Sequence, residues 1–206
     1  MTLLPRLYAI ADASFGDPVK IAEALFSGGA RLIQVRNKDA KVRELLDQVE
    51  RIMTLAPEAA HVIVNDRVDV ARIAGAGGVH LGQDDIPVTA ARQILGPHAT
   101  IGLSTHNLEQ AAEAEQLAVD YIAVGPIFAT FSRKNPSPVV GIDGLRAISR
   151  TVRKPIVAIG GITLDNAQQV LNAGAISVAV IRDLLQTADI ATRVREWIQY
   201  NQDGAL

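Results

Sequence analysis

Short apolar runs recur along this chain with room for one helix between each pair, and that rhythm constrains the fold more than any single motif. The runs cover residues 7–11, 31–35, 61–64, 78–81, 100–103, 120–124, 155–159 and 176–181. Each is nearly continuous in apolar character, as expected of parallel strands covered on both faces. The segments between them carry helical signals. Asp17-Pro18 supplies an N-cap and a first-turn proline ahead of Ile21, Ala24 and Leu25, and Gly28-Gly29 ends that helix. Residues 40–55 place Val42, Leu45, Leu46, Val49, Ile52 and Met53 at helical spacing. Further helices are predicted over 68–74, 87–95, 107–117, 142–152, 163–173 and 190–200, with Asn107 and Gln110 at capping-box spacing and Thr163 as a cap.

Eight strand–helix units predict an α/β fold, a (β/α)8 TIM barrel of parallel strands in a single domain over residues 1–206. Three segments, G-G-A-R-L-I-Q-V, G-A-G-G-V-H-L-G and A-G-A-I-S-V-A-V, each run from a helix-ending glycine into a strand and support equivalent units. The rival is an open doubly wound sheet. No G-x-G-x-x-G follows the first run, which weakens a dinucleotide-binding version of that rival.

With 49% hydrophobic and 20% charged residues, the chain can build a full core. It has no cysteine, which excludes disulfides, zinc–thiolate sites and thiol catalysis. No apolar stretch nears the ~20 residues of a membrane span, and the first twelve residues lack a signal-peptide pattern. A net charge of -2 with 4% aromatic residues leaves neither a basic footprint nor stacking platforms for nucleic acid. The expectation is a cytoplasmic protein with no membrane and no nucleic-acid partner. A homo-oligomer is left open.

In a barrel the chemistry sits where strands end and βα loops begin. The polar residues there are Asp12; Gln34, Arg36 and Lys38; Asn65 and Asp66; Gln83, Asp84 and Asp85; Ser104, Thr105 and His106; Thr130, Ser132, Arg133 and Lys134; Gly160 and Gly161; and Arg182. Asp66 and Asp84/Asp85 follow successive runs, so parallel strands would bring them out on one side as a hard-cation site of the kind Mg²⁺ uses with phosphates. Cations, carboxylates and hydroxyls together suit a polyphosphate ester. Plainer readings stand beside this one. Asp66 and Asp85 could each cap the following helix, Ser104-Thr105 could do likewise, and Gln34, Arg36 and Lys38 could be a solvated strand end. His80 is expected near the barrel core, and His61 and His98 at the surface, with His106 ambiguous. Residues 125–141 form one long proline-containing loop, a candidate lid with glycines at both ends.

Taken together, Q34-V-R-N-K38, N65-D-R-V-D69, G78-V-H-L-G-Q-D-D85, I101-G-L-S-T-H106, D120-Y-I-A-V-G-P-I-F128 and V157-A-I-G-G-I162 resemble the thiamine phosphate synthase family over almost the whole chain. The resemblance implies a barrel enzyme that joins 4-amino-2-methyl-5-(diphosphooxymethyl)pyrimidine to 4-methyl-5-(2-phosphooxyethyl)thiazole and releases pyrophosphate. It implies Mg²⁺ as cofactor on Asp66 and Asp85, with Asp85 preferred to Asp84. Gln34, Arg36, Lys38, Asn65 and Ser104 would bind the pyrimidine diphosphate, and Thr130, Phe131, Ser132 and Gly161 would surround the thiazole phosphate. Catalytic roles would fall to Arg36, Lys38, Ser104, Arg133 and Lys134. The chain departs from the family pattern twice. Thr130-Phe131-Ser132-Arg133-Lys134 replaces a T-x-T-K or T-x-S-K loop, so Arg133 or Lys134 takes the place of the family lysine. Ile181-Arg182 stands where a small hydroxyl residue is usual, and either the Arg182 side chain or the backbone amides of both residues would meet the phosphate. The alternatives are a thiazole tautomerase of the same superfamily, which carries a histidine at the position of Pro126, and a non-catalytic binder of thiamine phosphate.

Overall fold

In the computed structural model of the chain, residues 4–130 and 137–203 are described, with side chains described as far as Tyr200. Strands β1 (Leu7–Asp12), β2 (Leu32–Arg36), β3 (His61–Asn65), β4 (Gly78–Leu81), β5 (Thr100–Thr105), β6 (Tyr121–Val124), β7 (Ile156–Ile159) and β8 (Ser177–Val180) pair in parallel and in chain order. β8 returns to β1, so Ala9 faces Ile33 on one side and Val180 on the other. That closure removes the open doubly wound sheet and leaves the (β/α)8 barrel.

The helices are α1 (Pro18–Ser27), α2 (Val42–Leu55), α3 (Val68–Ile73), α4 (Val88–Leu95), α5 (Leu108–Glu115), α6 (Gly141–Thr151), α7 (Leu164–Asn172), α8 (Arg182–Leu185) and α9 (Ile190–Asp203). Two apolar cores result from the two-residue strand period. Ala9, Ala11, Val35 and Val64 face outward and pack with Leu25, Val49 and Trp197 of the surrounding helices. Tyr8, Ile10, Leu32, Ile63, Tyr121 and Val157 face inward and fill the barrel. Among the described residues no helix is long and apolar enough to cross a membrane.

Local chemistry explains the element ends. Asp17 accepts a hydrogen bond from Val19 N at 2.9 Å and Pro18 opens α1, as its sequence predicts. Asn107 Oδ1 accepts from Gln110 N at 2.8 Å, but the Gln110 side chain accepts from His106 N instead of closing a box on Asn107. β5 runs two residues beyond its apolar run because Ser104 and Thr105 are buried and pair with Ala123 and Val124. The four-residue α8 and a 3-10 turn at Ala13–Phe15 are too short to leave a periodic signal and go unpredicted. His61 corrects a surface expectation. It is only partly exposed, bonds Thr100 Oγ1 at 2.9 Å, and lies where a Cβ on Gly77 would come within 2.4 Å of its ring. His98 is exposed as expected.

Candidate active site

The C-terminal ends of the strands surround a cavity of about 320 Å³. Of the residues singled out from the sequence, Gln34, Arg36, Asn65 and Ser104 line one side. Thr130, Gly161, Ile181 and Arg182 line the other. Phe131, Ser132, Arg133 and Lys134 lie outside the described residues, as does the middle of the candidate lid. Lys38, Asp66 and Asp85 stand outside the lining as a cluster of their own, joined to it in sequence through Asn65.

The two aspartates are not helix caps. Arg67 and Pro87 occupy the cap positions of α3 and α4, and no side-chain cap bond is made at either. Asp66 has φ +63°, the only positive value at a non-glycine among the described residues. Aspartate tolerates this left-handed backbone better than most residues, at a cost of about 1 kcal/mol. Its own N–H donates to His80 O at 2.8 Å, and Lys38 Nζ lies 3.1 Å from its Oδ2. Asp85 Oδ2 accepts from Gly82 N at 2.6 Å. Burial pushes the Asp85 carboxyl above its ordinary value; the Gly82 N–H opposes the shift, and the neighbouring Asp66 carboxylate adds to it. Asp84 is exposed. Among the described residues no group of three or more His, Cys, Asp or Glu comes together as a metal cage.

Arg36 is held before any ligand arrives. Its Nη1 lies 2.5 Å from Oδ2 of Asp12, whose Oδ1 also accepts from Ser14 N and Oγ. Asp12 is 2% exposed, so the pair fixes the guanidinium at the cavity wall. Gln34, Arg36 and Lys38 therefore do not share one solvated edge. Gln34 points into the barrel, Arg36 bonds back to β1, and Lys38 reaches across to β3.

On the far side, Gly160 and Gly161 have φ +101° and +65°. A Cβ on Gly161 would lie 2.7 Å from Ala129 O, so glycine is required there to let the loop after β6 lie against the end of β7. Phe128 N donates to Gly160 O at 3.0 Å across that contact. Arg182 begins α8, and its Nε donates to Gln186 Oε1 at 3.1 Å. Next to it Asp183, also in the lining, accepts from Trp197 Nε1 (2.7 Å) and from Arg193 Nε and Nη2 (3.1 and 2.9 Å), tying α8 to α9.

The sequence left several lining residues unmarked, among them Tyr8 and Asp183. Tyr8 sits inside an apolar run where a phenol reads as core, and only its polar neighbours in the barrel betray it. His106, ambiguous in sequence, lines the cavity and shares a 2.6 Å hydrogen bond between Nδ1 and Gly125 O. His80 joins Tyr121 Oη and Ser104 Oγ at the floor, in accord with its expected core position.

A family model described as thiamine monophosphate synthase matches residues 7–184. The chain belongs to this family. It is 47% identical over 203 residues to a thiamine-phosphate synthase of Koribacter versatilis, covering 95% of each chain. Over 186 residues it is 47% identical to one of Anaeromyxobacter dehalogenans, covering 90% of this chain and 83% of that one. A solved thiamine phosphate pyrophosphorylase from Pyrococcus furiosus superposes with a TM-score of 0.89 at 37% identity, covering 98% of this chain and 97% of that one. The family thus coincides with the resemblance carried by the strand-end motifs.

Proposed function

We propose that the protein is a thiamine phosphate synthase, a transferase that joins the pyrimidine diphosphate to the thiazole phosphate and releases pyrophosphate. The observation that carries this reading is the Asp66–Asp85 pair. Two interacting carboxylates that cap no helix, one held above its ordinary pKa by burial and then by the other, stand beside a cavity lined by cationic and hydroxyl groups. The residues fit Mg²⁺, which binds through one or two carboxylates and takes its remaining ligands from water and phosphate. Asp66 and Asp85 would hold it. When bound, Mg²⁺ offsets negative charge on a diphosphate.

The reaction breaks the bond between the pyrimidine methylene carbon and the diphosphate oxygen, and the electron pair leaves with the diphosphate. The thiazole nitrogen then supplies its lone pair to the methylene carbon to form the new C–N bond. No protein nucleophile is required. What the chain supplies is donors and positive charge where the leaving group gains charge. Arg36, already oriented by Asp12, and Lys38 serve there with the Ser104 hydroxyl, and Gln34 and Asn65 hold the pyrimidine. Arg133 and Lys134 of the loop after β6 add cationic charge. Thr130, Phe131, Ser132, Gly161, Ile181 and Arg182 receive the thiazole phosphate. Bidentate binding by an arginine suits that phosphate.

Tautomerase and passive-binding readings gain no support. Pro126 occupies the position of the tautomerase histidine, and a passive binder has little use for a paired-carboxylate site. Incubation of purified protein with both phosphorylated substrates and Mg²⁺ should yield thiamine phosphate and pyrophosphate. Absence of product with every divalent metal tried would overturn the proposal.

A further inference from the structure

Beneath the cavity an unbroken line of polar side chains crosses the barrel from β2 to β5. Gln34 Nε2 donates to Tyr8 Oη at 3.0 Å, and the hydroxyls of Tyr8 and Tyr121 are 3.0 Å apart. Tyr121 Oη lies 2.9 Å from His80 Nδ1, and His80 Nε2 lies 2.8 Å from Ser104 Oγ. All five residues are buried, and of the five only Tyr121 does not line the cavity.

A phenol has one proton and two lone pairs, so the line has two polarities. One leaves the Tyr8 proton without a partner in it, the other the Ser104 proton, and because Tyr8 is 1% exposed and Ser104 7%, the second is favoured. Tyr8 accepts from Gln34 and passes its own proton toward Tyr121, and Tyr121 donates in turn to His80 Nδ1. An imidazole that accepts at Nδ1 carries its proton on Nε2, which donates to Ser104 Oγ. The Ser104 hydroxyl proton is then turned away from His80 and toward the cavity. We propose that Tyr8, Tyr121 and His80 are positioning residues that hold the Ser104 hydroxyl as a donor toward the anionic part of the bound substrate. This rests on the reading above that Ser104 faces the diphosphate. With the opposite polarity Ser104 would donate to His80 and show an incoming anion only lone pairs.

The line is held rigidly. The His80 ring stacks on Tyr121 with centroids 5.7 Å apart and planes 14° apart, and Tyr8 meets Tyr121 edge-on at 5.9 Å. A Cβ on Gly102 would fall 2.0 Å from the Tyr121 ring, so β5 leaves that ring no room to turn. Burial pushes both phenols well above their ordinary pKa, so each keeps the proton it must donate.

Two substitutions test the relay by ¹⁵N NMR of labelled histidine and by steady-state kinetics. Wild type should show His80 protonated on Nε2. Tyr121→Phe removes the donor to Nδ1 without altering the cavity wall, and His80 should lose that single tautomer. Loss of a preorganised donor costs ~10²–10³ in kcat, so Ser104→Ala should fall in that range. Tyr121→Phe, which frees the hydroxyl without deleting it, should lose about tenfold on the same scale. The double variant should be no slower than Ser104→Ala alone. Gln34→Glu replaces the first donor with an acceptor of the same shape and should move the His80 proton to Nδ1. Wild-type His80 protonated on Nδ1, an unchanged tautomer in Gln34→Glu, or losses that multiply in the double variant would each overturn the relay. If Ser104→Ala leaves kcat unchanged, its placement against the substrate fails and the proposal with it, while the tautomer measurement still reports the polarity of the line.

Discussion

Asp85→Asn should raise the stability of the metal-free protein while abolishing its response to Mg²⁺. Burial is the largest cost of ionising Asp85, and the like charge of Asp66, which interacts with it directly, adds to that cost. Two unit charges ~4 Å apart repel by about 4 kcal/mol at an effective dielectric near 20. Lys38, 3.1 Å from Asp66, and the 24% exposure of the Asp66 side chain offset most of that. About 1 kcal/mol of net strain is a fair discount for a partly solvated pair. Asparagine keeps an oxygen for the Gly82 N–H, so removal of a partly buried charge and of its repulsion by Asp66 dominates. For a chain of this size 1 kcal/mol is ~2–4 °C in Tm. Mg²⁺ at a hundred times its Kd should stabilise wild type by about 2.7 kcal/mol, or ~5–10 °C, and leave Asp85→Asn unmoved. The sign follows from the raised pKa. A carboxyl whose folded pKa is raised costs stability only where it is ionised, so the variant's advantage is full at neutral pH and vanishes as pH falls through the carboxylate range. Thermal melts with and without Mg²⁺, at neutral and acidic pH, check each step. An Asp85→Asn protein that is less stable without metal, or that gains as much from Mg²⁺ as wild type, would refute the reasoning.

Four further outcomes are expected. Gly102→Ala forces a wholly buried tyrosine ring to move and should cost about 3 kcal/mol, read as a drop of ~6–12 °C in Tm. Asp183→Asn loses charge-assisted bonds to Arg193 and Trp197 and should cost about 2 kcal/mol in a denaturant titration. Arg182→Ser should raise KM for the thiazole phosphate about tenfold, the scale of one charge-assisted bond, and leave KM for the pyrimidine diphosphate unchanged; equal effects would place the side chain elsewhere. Burial holds the His61 imidazole below its ordinary pKa against the opposing charge of Asp120. The unfolded chain therefore takes up that proton first. Stability from neutral His61 is lost as pH falls below about 6.5, and His61→Gln should flatten that part of the stability–pH curve.

The fold was legible because each strand is buried on both faces. Burial of that kind writes itself as unbroken apolar runs, and the eight runs match the eight strands to within two residues at either end. The helix caps were legible for a similar reason, since Asp17 and Asn107 act on backbone N–H groups two or three residues away. Elements without such a local signature were missed. α8 is one turn long, and its fixation by Asp183 comes from Arg193 and Trp197, ten and fourteen residues further on. His61 read as a surface residue because its cover, Gly77 and Thr100, comes from just before β4 and from β5.

By itself, the sequence determined the barrel class and which residue types gather at its C-terminal rim, because strand period and strand ends are local properties of the chain. Only the tertiary structure decided that Asp66 and Asp85 face one another instead of capping helices, that Arg36 is held by Asp12, and that Gln34, Tyr8, Tyr121, His80 and Ser104 form one line. Those relations join residues from different strands. Barrel closure and the register between strands set their distances, and no local pattern of residues encodes them.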